Sequence, residues 1–331
     1  MTEEDFLADD IDFSTGDPAI AYVGKTPWHG FGAKLYEGQP VEVWLKEARL
    51  EWELKRLPVQ YLVTGGLRTM DDRFVLLRSD NEEALSVVSG DYQVVQPKEV
   101  LEFYRDLVHH YGYKLETAGA LNGGRKVWAL AKTGIGDSVG ENGEDGLAAY
   151  LLLATSCDKT LATTAAFTSV RVVCQNTLFF AVDDVKANRR LHVKVPHNLR
   201  FDAEQVKKDL GLMELAWSGF IKKVQKMVKR QLGADTTSRF FEELLRQSDS
   251  KPLSAKAERE KQTITALLTS APGQQMATTK GTLWGAVNAV TYYADHVRPG
   301  ADRLDSSWFG TGASLKDKAW TKAMDMVSTE N

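Results

Sequence analysis

The sequence predicts an α+β fold: an αβββα-type antiparallel sheet core with a second strand-rich unit, followed by a helical C-terminal half. Three observations predict it. Between residues 40 and 112, two helical stripes bracket three strand-like stretches. From about 113 to 170, further apolar stretches are separated by glycine-rich turns. From Asp202 onward the apolar residues recur at steps of three and four, the period of an amphipathic helix. The chain is thereby divided into an acidic disordered tail over 1–20, an α+β core over 21–200 and a helical C-terminal region over 201–331.

Each element has a local cause. In "PVEVWLKEARL" (40–50), Val43, Leu45, Ala48 and Leu50 fall near helical spacing. "WELKRLPVQYLV" (52–63), "RFVLLRS" (73–79) and "ALSVVS" (84–89) read as strands, with Gly65–Gly66 and Asp71–Asp72 supplying turn chemistry. Pro97 opens a helix over 98–112 whose stripe is Val100, Phe103, Tyr104, Leu107, Val108 and Tyr111, and Gly112 ends it. "YKLETAGAL" and "RKVWALAKT" flank "NGG" as a hairpin. "GIGDSVGENGEDG" (134–146) reads as a glycine- and acid-rich loop. "LAAYLLLATS" and "TLATTAAFTSV" form the next strand pair, and "RVVCQNTLFFAV" (171–182) fits either a buried helix or a strand. Helices are expected at 203–232, 236–247, 253–270, 281–297 and 314–328.

Bulk properties exclude several classes. No apolar run approaches the ~18–20 residues that cross a bilayer, and the first residues are acidic where a signal peptide is basic and then apolar. A soluble, cytoplasmic protein is expected. The two cysteines, Cys157 and Cys174, form no CxxC pair and no His/Cys cluster, so neither a disulfide scaffold nor a structural zinc is expected.

Charge is unevenly placed. Residues 1–17 hold seven acids and no base; without them the net −4 of the chain becomes +3. Between Lys186 and Arg230, twelve Lys or Arg face four acids, which points to a polyanion as partner. The centre of this excess is "GFIKKVQKMVKRQL" (219–232), where Lys222, Lys226, Lys229 and Arg230 fall at i, i+4, i+7 and i+8 on one helical face. Lysines on flexible stems suit phosphate neutralisation that ignores base sequence. Arg189 and Arg190 extend the excess. A solvated basic face without ligand is the structural alternative. Val206, Leu210, Met213, Trp217, Phe220, Val224 and Met227 recur at alternating steps of four and three, a seam for another helix or for a second copy of the chain. The acidic tail is expected to compete with nucleic acid for the basic strip, so that deleting residues 2–17 raises affinity at low salt.

A second candidate is "LNGGRKVW". Two glycines before Arg125 and Lys126 let backbone N–H groups approach a phosphate, and Trp128 offers a stacking face. A purely structural turn competes with this reading. Trp28 is a further stacking candidate, and Arg56, Arg68, Arg73 and Arg78 alternate along the first sheet. The chain carries no GxSxG, HExxH, Walker or Rossmann motif. No catalytic residue, metal ligand or cofactor is therefore assigned, and Cys157 reads as a buried, inert thiol.

"TPWHGFG" (26–32), "VVSGDYQVVQPKEVLEFYRDL" (87–107), "AGALNGGRKVWALAK" (118–132), "SVRVVCQNTL" (169–178), "LWGAVNAVTYYADH" and "WFGTGASLKDKAW" together resemble the uncharacterised phage/plasmid-like protein family, a domain of unknown function. Before "VRVVCQNTL", Ser156-Cys157-Asp158 stands where that family's pattern has a His-Asp-Gly-like triplet, so no catalytic role follows there. The resemblance implies a phage, prophage or plasmid origin. In topology alone, the αβββα order followed by helices resembles phage single-strand annealing proteins of the RecT and Redβ type, which use neither metal nor nucleotide. The expected function is single-stranded DNA binding, with strand annealing by a homo-oligomer, in recombination or replication. A protein that docks an acidic host partner is the alternative, and a metal-dependent nuclease the third.

Overall fold

The computed structural model describes residues 10–24, 30–173, 176–179, 192–209, 213–246, 252–300 and 303–328. The fold is α+β. In chain order the elements are β1 (Ile20–Val23), β2 (Ala33–Leu35), α1 (Val41–Glu47), β3 (Leu54–Val63), β4 (Gly66–Arg78), β5 (Ala84–Ser89), α2 (Pro97–Tyr111), β6 (Lys114–Leu121), β7 (Lys126–Val139), β8 (Asp145–Ser156), β9 (Thr163–Arg171), β10 (Thr177–Phe179) and β11 (His192–Val195). The helices α3 (Ala203–Asp209), α4 (Met213–Lys229), α5 (Ala234–Leu245), α6 (Ala255–Ser270), α7 (Leu283–Tyr292), α8 (Arg303–Phe309) and α9 (Thr311–Ser328) follow. The expected αβββα order is α1-β3-β4-β5-α2. Among the described residues, one sheet runs β10-β9-β8-β7-β6-β1-β2 with β11 also on β9, and a second runs β3-β4-β5.

Two compact units divide the chain. The first comprises Met1–Gly134, Tyr150–Phe167 and His192–Gly211; the second comprises Ile135–Ala149, Thr168–Leu191 and Leu212–Asn331. In the first unit, α2 forms where the sequence predicts it. Pro97 sits in the first turn, the Gln96 backbone N–H bonds the Glu99 carboxylate at 2.7 Å, and Gly112 closes the helix at φ 69°. Val100, Leu101, Phe103, Tyr104 and Leu107 are buried, whereas Tyr111, counted in the predicted stripe, is exposed in the last turn. The hairpin β3–β4 outruns β5, which pairs only Arg73–Leu77 of β4. Its far end therefore leaves Leu62, Leu67 and Met70 exposed.

Two of the first acids of the chain belong to the core. Asp10 and Asp12, counted above with the tail, are buried. The Asp10 carbonyl accepts from Asn122 N–H at 2.7 Å, Ile11 bridges Leu121, and the Asp12 carboxylate pairs with the fully buried Arg78. Asp80 takes the other side of that guanidinium at 2.7 Å, and the Trp52 ring lies 4.3 Å from it. Arg78 is thus a core residue and no surface cation.

The expected loop at 134–146 is instead strand: β7 continues to Val139 and β8 begins at Asp145. The cause is close backbone approach. A Cβ on Gly136 would stand 3.2 Å from the Leu147 carbonyl, so glycine there admits a strand neighbour. The turn between the two strands carries Gly140 and Gly143, both at positive φ. The stretch 171–182, left between helix and strand, contributes the strand β10.

In the second unit α7 is apolar on every side, and residues 283–291 are all buried, so it is the helix the others surround. Thr282 caps it, accepting from Gly285 N–H at 3.0 Å. At Gly285 an added Cβ would lie 1.9 Å from the Thr279 carbonyl oxygen. Gly285→Ala should therefore destabilise the fold by about 1–3 kcal/mol or more, readable as a lowered urea midpoint at unchanged m-value. A midpoint equal to that of the unmodified protein would show that the turn relaxes freely.

Candidate nucleic-acid interface

The helix α4 is amphipathic because Ala216, Trp217, Phe220, Ile221, Val224 and Met227 are buried while Lys222, Gln225, Lys226 and Lys229 are exposed. The apolar face packs inside the second unit: Trp217 lies 5.4 Å from Phe220 between ring centroids, and Phe220 stacks on Trp320 of α9 at 5.2 Å. The end of α4 is fixed to the turn before α7. Leu283 N–H bonds the Arg230 carbonyl, and Leu232 N–H the Gly281 carbonyl, each at 2.8 Å. A rigid scaffold thus holds the basic face.

Of the two partners expected for the seam, that packing supplies the first, another helix of the same chain. Val206 belongs to α3, and Trp217, Phe220, Val224 and Met227 are already covered within the chain. Leu210 and the Met213 side chain lie outside the described residues. Among the described residues, the part of the seam on α4 is covered by the chain itself.

The side chains of Lys222, Lys226 and Lys229 make no hydrogen bond or ion pair with any other described residue. The reason is local: none has an acid three or four positions away in either direction. Lys222–Lys226 and Lys226–Arg230 are like-charge neighbours at i, i+4, each costing the helix about 0.2–0.5 kcal/mol. The negative helix end offsets part of this for Lys226 and Lys229, which stand in the last turn. From Lys222 to Arg230 the row spans ~12 Å of helix axis at ~1.5 Å per residue. Arg230 is half-buried and has partners within the protein. Arg189 and Arg190 lie outside the described residues.

The turn at "LNGGRKVW" belongs to the first unit and is closed. Asn122–Gly124 forms a tight turn of left-handed backbone, with φ of 54°, 69° and 90° in succession. Its backbone is engaged rather than free: Arg78 donates to the Gly123 carbonyl at 3.1 Å, and a Cβ on Gly124 would stand 2.9 Å from the same guanidinium. Arg125 is half-buried, with its guanidinium against the Leu85 and Asn122 carbonyls at 3.4 Å. Lys126 is buried, and Trp128 is 2% exposed. The stacking role expected of Trp128 fails because its ring is core. Trp28 lies outside the described residues, and Arg73 pairs with Asp72.

Ser156-Cys157-Asp158 makes a second closed turn. Ser156 Oγ donates to the Leu161 carbonyl at 2.9 Å, and Asp158 accepts from Thr160 N–H at 3.0 Å. Cys157 Sγ faces the Gly124 and Arg125 carbonyls, and burial, helped by the Asp158 charge, pushes its thiol up to about 12. Such a thiol stays protonated near neutrality and is a poor nucleophile.

A family model matches residues 84–325, which include β5 through most of α9. The chain belongs to the family described as Domain of unknown function (DUF932). Its matched region holds α4 with all four candidate cations, both closed turns and α7. No curated protein and no solved structure matches the chain. Among the described residues no helix is long and apolar enough to cross a membrane, and no three His, Cys, Asp or Glu side chains gather where they could hold a metal ion.

Proposed function

We propose that this protein binds single-stranded DNA through the exposed face of α4, in phage or plasmid recombination or replication within a bacterial cytoplasm. The observation that carries the reading is the uncompensated row Lys222, Lys226 and Lys229, three exposed cations without acidic neighbours on a helix anchored along its opposite face. A fold that retains like-charge repulsion on a rigid support gains from a ligand that relieves it, and a phosphate backbone does so while releasing its counterions. The αβββα order supports the analogy with annealing proteins at the level of topology only. Annealing itself requires more than one copy. With the α4 seam covered, the exposed apolar end of the β3–β4 hairpin is the surface we assign to self-association.

Polarization titration of a labelled oligonucleotide at low salt tests the reading, with duplex DNA and RNA alongside. Absence of salt-dependent binding would sink it and leave an acidic protein partner for the same face. Light scattering that reports 36.8 kDa with and without oligonucleotide would remove annealing and leave binding.

The acidic first residues give a further prediction. Asp10 and Asp12 are committed to the core, so a deletion through residue 17 would remove structure as well as charge. Deleting residues 2–9 removes four of the seven acids, Glu3, Glu4, Asp5 and Asp9, and spares Asp10 and Asp12. This variant should bind DNA several-fold more tightly at low salt and equally at high salt, where screening shortens the reach of charge to a few ångströms. Equal affinity at low salt would separate these acids from the basic face.

A further inference from the structure

The acid-free surroundings of the α4 row continue on a second segment of the same unit. No acid occurs in the sequence between Glu214 and Asp235, and none between Glu260 and Asp295. The two stretches meet at the end of α4, where Gln231 forms an antiparallel bridge with Thr282 between the two backbone bonds that join Arg230 to Leu283 and Leu232 to Gly281. Within 261–294 the bases are Lys261 and Lys280. Lys261 lies 3.6 Å from the Glu242 carboxylate of α5. Lys280 is exposed, and its side chain makes no hydrogen bond or ion pair with any other described residue.

The backbone under Lys280 is fixed. Its N–H bonds the Met276 carbonyl at 2.9 Å, and Thr278, Thr279 and Thr282 around it are buried. Thr279 Oγ1 donates to the Gly273 carbonyl and Thr282 Oγ1 to the Thr278 carbonyl, each at 2.7 Å. Gly281, the next residue, takes φ 70° and gives its carbonyl to Leu232 N–H. One Cα step of ~3.8 Å therefore separates Lys280 from a residue bonded to the end of α4. A turn locked by buried threonines holds an exposed lysine just past the helix.

The position gives that lysine a task. The C-terminal end of a helix carries partial negative charge. A phosphate chain that follows Lys222, Lys226 and Lys229 runs toward this end and is repelled by it unless a cation stands beyond. We propose that Lys280 is a further phosphate contact of the α4 interface, so that a bound single strand continues from the helix onto the turn before α7. The inference rests on the α4 reading and extends its footprint from one helix to two segments distant in sequence. A compact charge on a flexible stem suits the role, because it follows a mobile backbone and reads no base.

The test is a polarization titration of a labelled single-stranded oligonucleotide with the full chain, repeated across salt concentrations. Lys280→Gln should weaken binding at low salt by about twofold to fivefold, the range of one exposed ion pair, and make the salt slope shallower by roughly 0.7. Lys280→Glu should weaken it further, and Lys280→Arg should restore affinity and slope, since charge is what the phosphate meets. Added to the variant with glutamine at Lys222, Lys226 and Lys229, Lys280→Gln should lower the slope by roughly 0.7 again, because it meets a phosphate of its own. Lys256→Gln, at an exposed position on α6, removes the same net charge and should leave the slope unchanged. A slope that falls as much in Lys256→Gln as in Lys280→Gln reports net charge alone and overturns the proposal. Affinity and slope unaltered in both Lys280→Gln and Lys280→Glu overturn it too; if the α4 lysine variant loses affinity all the same, the α4 reading stands and the extension onto the turn fails by itself. Absence of salt-dependent binding by the unmodified protein removes both together.

Discussion

Replacing Lys222, Lys226, Lys229 and Arg230 together with glutamine should weaken single-stranded DNA binding by more than tenfold at low salt, similarly for every base sequence. The salt slope should become shallower by roughly 0.7 for each phosphate that is no longer neutralised. Glutamine has helix propensity close to that of lysine, so α4 should persist. The lysine substitutions also relieve like-charge repulsion of about 0.2–0.5 kcal/mol per pair, so the variant limited to the three lysines should be as stable as the unmodified protein or slightly more so. Loss of affinity with retained stability is the signature of a binding face. Arg230 has partners in the fold, so a stability loss confined to the fourfold variant reports that residue alone. Arg125→Gln with Lys126→Gln is the contrasting pair: both side chains are at least half-buried, and stability rather than affinity should fall. Unaltered affinity and slope in the fourfold variant would remove α4 from the interface.

Asp145→Ala should destabilise the protein by about 3–5 kcal/mol, because it leaves a buried guanidinium without its counter-charge. Asp145 and Arg171 are both buried and meet in a two-pronged pair at 2.7 and 2.9 Å. The same carboxylate accepts from the Thr278 hydroxyl at 2.9 Å and from the Trp284 indole at 3.2 Å, joining β8 and β9 to the start of α7. Arg171 also donates to the Gly273 carbonyl at 3.1 Å. Replacing both charges, Asp145→Leu with Arg171→Met, should recover much of the loss, since no uncompensated charge remains. Urea unfolding of the two variants measures this. A loss under about 1 kcal/mol for Asp145→Ala, well below the range expected for breaking a buried pair, would show that water or another group replaces the carboxylate.

A similar junction closes the second unit elsewhere. Lys316 of α9 donates to Asp295 at 2.6 Å and to the Thr177 carbonyl at 2.9 Å, while Asp295 also accepts from Thr177 N–H at 2.8 Å and from Ser307. Lys316 is a lysine in an amphipathic helix, and its sequence context gives no sign that it is buried. The π-helical turn Tyr293–Val297, which carries Asp295, is equally silent, since apolar spacing there continues the α-helical pattern.

Local chemistry determined what the sequence alone could determine. The αβββα order followed from strand stretches and the Gly65–Gly66 turn, whereas the Asp71–Asp72 pair, expected to turn the chain, lies inside β4. The ends of α2 followed from Pro97 and Gly112. The exposed lysines of α4 followed from their helical spacing away from the apolar seam, a pattern set within one or two turns of chain. Tertiary structure decided the rest, because burial depends on partners distant in sequence. The run around Gly136 is strand because a neighbouring backbone comes within reach. Trp128 and Lys126 are core because α+β packing covers them, and Asp12 and Arg78 find each other across 66 residues. The α4 seam closes on Trp320 of α9. Period and propensity place an apolar face on a helix, but which surface covers that face is a property of the assembled fold.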